Sequence, residues 1–199
     1  MEGIFFYWIA WMVWVYSTFM IKKSRFRLMV SIIVLVIIIV SPYSIHLGIF
    51  EINVTIIAFL IICSALLVKK TTIQKVYLLV CTLTITIAYV SFLLFELFDP
   101  VWLFIDRKWM LAIILVYLAS MLIKERKIRV ICVVLGTSQG ELLYGFILSH
   151  FRFEYVIGSM SYLDITAITS AVIVLWLGVE NLAQYFDLYF NKTSKEKQG

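Results

Sequence analysis

The sequence predicts an all-α fold: a polytopic transmembrane helical bundle of about seven spans, N-terminus outside and C-terminus cytoplasmic. Three observations carry that expectation. The 199 residues are 63% hydrophobic and 15% charged, with a mean hydropathy of +1.03, whereas a soluble domain is nearer half apolar and a quarter charged. The apolar residues gather into seven runs, most of them close to the roughly 20 residues that cross a bilayer as a helix. The basic residues cluster between alternate runs, so the formal charge of +5 is a topology signal and points to no nucleic acid.

The first span is read over residues 4–21. No basic residue precedes it and no small-residue cleavage site follows it, so it is expected to be retained rather than removed as a signal peptide. Trp8, Trp11 and Trp14 recur every three residues, a pattern expected of interfacial anchoring and packing. Lys22, Lys23, Arg25 and Arg27 form the first basic loop. The second span is read over 28–47, with Pro42 bending or ending its outer part. After a turn through Gly48, the third covers 52–68, followed by Lys69, Lys70 and Lys75. The fourth, 76–98, closes with Glu96 and Asp99-Pro100, and Val101 to Ile105 is too short to span. The fifth, 108–123, is short and leads into Lys124, Arg126, Lys127 and Arg129. The sixth covers 130–149 and the seventh 163–186.

A polar tail, residues 191–199, is expected to be disordered and cytoplasmic, leaving residues 1–190 as one transmembrane domain. With Lys192, Lys195 and Lys197 of that tail, one side of the membrane would hold 14 of the 17 Lys and Arg. That asymmetry sets the expected orientation.

Chemistry concentrates in the sixth span, where Gly136-Thr137-Ser138-Gln139-Gly140-Glu141 interrupts the apolar run. At about 1.5 Å of rise per residue, Glu141 falls near the midplane, where a charge costs a few kcal/mol and needs a partner, a proton or a water-filled cavity. At about 100° per residue, Gly136, Gly140, Tyr144, Thr137, Glu141 and Gly145 share one broad side and Gln139 points elsewhere. The small residues Gly136, Gly140 and Gly145 suit a close helix contact, and Glu141 suits either that contact or a proton- or substrate-binding role. On the seventh span, Tyr162, Thr166, Thr169, Ile173, Glu180, Gln184 and Asp187 form a stripe that is the expected partner of Glu141. It reads as an inter-helix hydrogen-bond seam or as a polar path.

Other chemistries fit poorly. Gly136 to Gly140 matches G-x-S-x-G, but that motif requires a strand–turn–helix elbow and a nearby base. His150 would lie about 18 Å along the helix axis from Ser138. His46, His150, Glu51, Glu96, Asp99, Asp106, Glu154 and Asp164 lack metal-site spacing and read as solvated loop charges. Cys63, Cys81 and Cys132 read as packing residues, without disulfide or zinc spacing. The seventh span has no lysine for a retinal Schiff base, and no paired-glutamate membrane-protease motif is present. No cofactor, metal or enzymatic activity is expected.

The opening Met1-Glu2-Gly3-Ile4-Phe5-Phe6-Tyr7-Trp8, then Trp11-Met12-Val13-Trp14-Val15-Tyr16, the Lys22-Lys23 loop and the length near 200 residues together resemble the YphA-like family of small bacterial membrane proteins. The resemblance extends over the whole chain. It implies a multi-pass protein of the cell membrane in spore-forming Bacillus relatives, of no established biochemical activity and with no catalytic motif to transfer. It also implies an association with sporulation and spore-envelope assembly. The expected role is therefore structural or in assembly, with the lipid bilayer and other membrane or spore-envelope proteins as partners. The alternative is a small proton-coupled transporter or channel using Glu141 and Glu180.

Overall fold

A computed structural model describes residues 2–47, 50–68, 70–153 and 155–196. Seven α-helices run through them: α1 (Ile4–Phe19), α2 (Arg25–Val40), α3 (Val54–Leu67), α4 (Thr72–Phe98), α5 (Arg107–Leu122), α6 (Arg126–His150) and α7 (Met160–Glu196). Three short strands, β1 (Ser44–Leu47), β2 (Phe50–Asn53) and β3 (Val156–Ile157), and a 3-10 turn at Pro100–Trp102 complete the order. Gly48, Lys69 and Glu154 lie outside the described residues, as do the side chain of Asp187 and residues 197–199 of the expected tail. The tail expected to be disordered from Asn191 overlaps the last turns of α7 as far as Glu196.

Local chemistry sets most of the helix starts. Ser24, Asn53 and Asp106 each occupy an N-cap and accept from a main-chain N–H two or three residues on, satisfying a donor the helix cannot use itself. Asp99 does the same for the 3-10 turn. Asn53 has a second task, donating its Nδ2 to the Ser41 carbonyl at 2.8 Å.

Two expectations need correction here. The fold is not purely α, because a three-stranded sheet of order β1-β2-β3 closes one end of the bundle. β1 and β2 are antiparallel, with His46 opposite Glu51, while β2 and β3 are parallel, with Ile52 opposite Ile157. This sheet takes residues 44–47 away from the second span, and α2 stops at Val40. Pro42 offers no N–H to continue the helix. Secondly, the sixth span is not interrupted: α6 is continuous from Arg126 to His150. Its hydroxyls turn back onto their own helix, Thr137 to Val133 O at 2.9 Å and Ser138 to Val134 O at 2.7 Å, so no backbone break is needed to satisfy them.

Three stretches are long and apolar enough to cross a membrane: Thr72–Phe98, Ile128–His150 and Met160–Gln184. The other four helices have 14 to 16 residues, about 21–24 Å of rise, short of a typical hydrocarbon core.

α6 is the central element, packed against α3, α4, α5 and α7, and α1 lies against α7 and α2. Ile85, Leu111, Leu115, Val133 and Leu163 are fully buried between the inner helices. By contrast α2 buries no residue at all, and Trp8, Phe19, Ile73 and Met121 are at least 66% exposed. Such an apolar outer surface far exceeds the patches a soluble monomer tolerates and suits a lipid environment.

Candidate functional site

Glu141 is completely buried, and three donors converge on it. The Tyr89 hydroxyl of α4 donates to Oε2 at 2.6 Å. The Tyr155 hydroxyl donates to Oε1 at 2.7 Å and the Gly158 amide to the same oxygen at 3.1 Å. Every partner is a donor, so the carboxylate ties α6 to α4 and to the chain between α6 and α7 by accepting alone. Gly158 is needed for two reasons. Its φ is +81°, and a Cβ there would stand 3.1 Å from the Asn53 Cβ. Outside the helices, Tyr155 is held neutral: burial pushes its pKa up, and the neighbouring Glu141 pushes it the same way.

The glycines of α6 make this approach possible. A Cβ on Gly136 would lie 2.7 Å from Ile85 Cγ2, and one on Gly140 would lie 2.7 Å from Tyr89 Cδ1. Gly145 faces Ile157 of β3 with no room for a side chain. Thr86 of α4 adds a polar stitch, its hydroxyl 2.9 Å from the Gly136 carbonyl.

The seventh-span stripe does not meet Glu141 as expected. Tyr162 instead shares a 2.8 Å hydrogen bond with Ser138. Thr137, Thr166 and Thr169 are buried, Tyr144 is nearly so, and Thr169 bonds back to Ile165 O. Glu180 belongs to a separate cluster at the opposite end, 3.1 Å from Arg126 and 3.4 Å from Arg129. Gln184 joins it by accepting from Arg126 at 3.2 Å. Arg129 also donates to the Ile123 carbonyl at 3.2 Å, fastening the end of α5. Fully buried Leu111, Leu115, Val133 and Ile173 fill much of the bundle interior, and Glu141 and Glu180 belong to separate hydrogen-bonded clusters.

A second buried acid was misplaced by the sequence reading. Asp164, expected among solvated loop charges, is fully buried. Its Oδ2 accepts from Lys108 Nζ at 2.6 Å and from the Gly3 amide at 2.9 Å, while Oδ1 accepts from the Phe6 amide at 2.9 Å. α1 has no side-chain cap of its own, and this carboxylate from α7 supplies one, where the helix dipole also favours negative charge.

At the sheet end, beside Val156 of β3, lies a polar cavity of about 290 Å³. Tyr89, Tyr155 and Tyr162 line it with Tyr144, Arg107 and Glu2, so both tyrosines that hold Glu141 border it. Arg107 donates to Ser161 Oγ and stands 3.6 Å from Glu96 Oε1. Sequence reasoning missed Tyr89, Tyr155, Arg107 and Lys108. The spacing of Thr82, Thr86 and Tyr89 on the fourth span was the available signal, since it marks one polar helix face. Among the described residues no group of three or more His, Cys, Asp or Glu could hold a metal ion.

Comparison with known proteins is consistent along the whole chain. The family model described as "YphA-like integral membrane protein" matches residues 2–199. A protein of Bacillus subtilis (strain 168), carrying the name "Uncharacterized protein YphA", is 28% identical over 199 residues, covering 100% of this chain and 98% of that one. No solved structure matches.

Proposed function

This chain belongs to the YphA-like integral membrane protein family, and on that premise we propose that it is a seven-pass protein of the cell membrane with a structural or assembly role. The observation that carries the reading is the enclosure of Glu141 by three donors, one from α4 and two from the loop between α6 and α7. A carboxylate so held is a static joint, suited to fixing the sheet end of the bundle rather than to cycling a proton. We place the N-terminus outside and the C-terminus in the cytoplasm. The clustering of Arg126, Arg129, Lys70 and Glu180 at one end, together with the basic loops, supports that orientation. The four shorter helices would cross by local thinning of the bilayer. In this reading the chain forms one domain without enzymatic activity, and its partners are lipid and other membrane or spore-envelope proteins.

The competing reading, a proton-coupled transporter or channel, draws on the cavity that reaches Tyr89 and Tyr155. Against it stands the placement of Glu141 and Glu180 in separate clusters at opposite ends. The test is complementation of a deletion strain, scored by spore yield and envelope morphology. Glu141→Gln keeps the shape and the oxygen that accepts from Tyr155 and Gly158, and the Tyr89 hydroxyl can turn to accept from the amide NH2, so it should restore both to the wild-type level, whereas Glu141→Ala should not. Failure of a normally folded Glu141→Gln protein would favour the transport reading. A deletion that leaves spores unaltered would remove the spore-envelope setting.

A further inference from the structure

We infer that the cavity at the sheet end is a binding site for a small zwitterion, a ligand with an anionic group and an ammonium group joined by a short linker. The cavity brings together two opposite fixed charges and an aromatic wall. Arg107, at the first position of α5, lends the positive charge, and its side chain is 36% accessible. The Ser161 hydroxyl and the ion pair with Glu96 at 3.6 Å hold the guanidinium in place, leaving the rest of its five N–H donors for an anion.

Glu2, exposed at the rim, supplies the negative charge. The hydroxyl protons of Tyr89 and Tyr155 are already committed to Glu141. Both tyrosines border the cavity, and tyrosine rings attract cations over their faces, which suits an ammonium group. The Tyr144 hydroxyl, without a partner among the described residues, remains free to donate.

Charge balance selects the class. A ligand with only negative charge would meet Glu2 on the wall, and one with only positive charge would meet Arg107. At about 290 Å³ the space holds roughly ten waters' worth of volume, enough for a headgroup or an amino acid and too little for an extended polymer. Leu93 and Ile165 on the wall suit the methylene linker. Such a ligand has two sources, the headgroup of an ethanolamine phospholipid or a free amino acid.

The experiment is titration calorimetry on the full-length protein, purified and delipidated in detergent, with four probes. Glycerophosphoethanolamine and L-alanine are the zwitterions; glycerophosphate and ethanolamine carry one charge type each. At least one zwitterion should bind tenfold or more tightly than both single-charge probes. Tighter glycerophosphoethanolamine assigns the lipid source, and tighter alanine the free one. Arg107→Gln should weaken binding at least tenfold. Because it also loses the Ser161 contact, Glu2→Gln serves as the second variant: it should weaken binding at least threefold with an unaltered melting temperature in the absence of probe. Glycerophosphate binding as well as either zwitterion, binding indifferent to both variants, or no binding by any probe would overturn the assignment.

Discussion

Replacing Gly140 by alanine is the sharpest single perturbation of the joint around Glu141. The new Cβ would stand 2.7 Å from Tyr89 Cδ1 and 3.2 Å from its Cβ and Cγ. Ordinary carbon contacts fall at about 3.5–4.0 Å, so α4 and α6 must part, or the ring must swing, by roughly 0.8 Å. Neither is free, because Tyr89 is almost fully buried and its hydroxyl is tied to Glu141 at 2.6 Å. Overpacking of this kind costs about 1–3 kcal/mol, and the gain in helix propensity on replacing glycine offsets about 1 kcal/mol of it. Gly178 is the control, an α7 position with nothing within 4 Å of its added Cβ, where alanine collects the propensity gain alone. The difference between the two variants therefore isolates the overpacking. For a chain of this size each kcal/mol moves the melting temperature by about 2–4 °C. Thermal unfolding in detergent should put Gly140→Ala about 2–12 °C below Gly178→Ala. A Gly140→Ala protein melting at or above Gly178→Ala would refute the close α4–α6 contact.

Three further outcomes follow from the same geometry. Asp164→Asn leaves Lys108 without its buried counter-charge and weakens the cap on α1, so the protein should lose about 3 kcal/mol of stability, read from thermal unfolding in detergent. Tyr155 has its pKa raised from the ordinary 10.0, so above about pH 10 the unfolded chain releases a proton that the folded chain keeps. Wild-type stability should therefore fall as pH rises past that value, and Tyr155→Phe, less stable at neutral pH, should fall less steeply in alkaline melting curves. On a background lacking the three native cysteines, Phe104→Cys should be labelled by an impermeant maleimide in intact cells and Lys22→Cys only after permeabilisation. The reverse pattern would invert the proposed topology.

Hydropathy made the helices legible because each is a local property of its own segment. The sheet was not, since Ser44–Leu47 and Phe50–Asn53 are four residues each and Val156–Ile157 only two, too short for alternation to stand out. Periodicity also placed Gly136, Gly140 and Glu141 on one side of α6 but could not say which neighbour covers that side. Tyr89 lies 52 residues from Glu141 in sequence, and the seventh-span stripe was the nearer guess. Asp164 was misjudged for a related reason. It sits just inside a helix that follows a loop, where acids are commonly solvated, and the amides that bury it are 158 and 161 residues away.

Proton movement through Glu141 is what separates a static joint from a working carboxylate, and a pH-sensitive dye enclosed in proteoliposomes measures it directly. Under an imposed pH gradient and membrane potential, wild-type protein and Glu141→Gln should both give dye responses equal to those of protein-free liposomes. A proton flux that depends on wild-type protein and disappears in a normally folded Glu141→Gln variant would contradict the structural account.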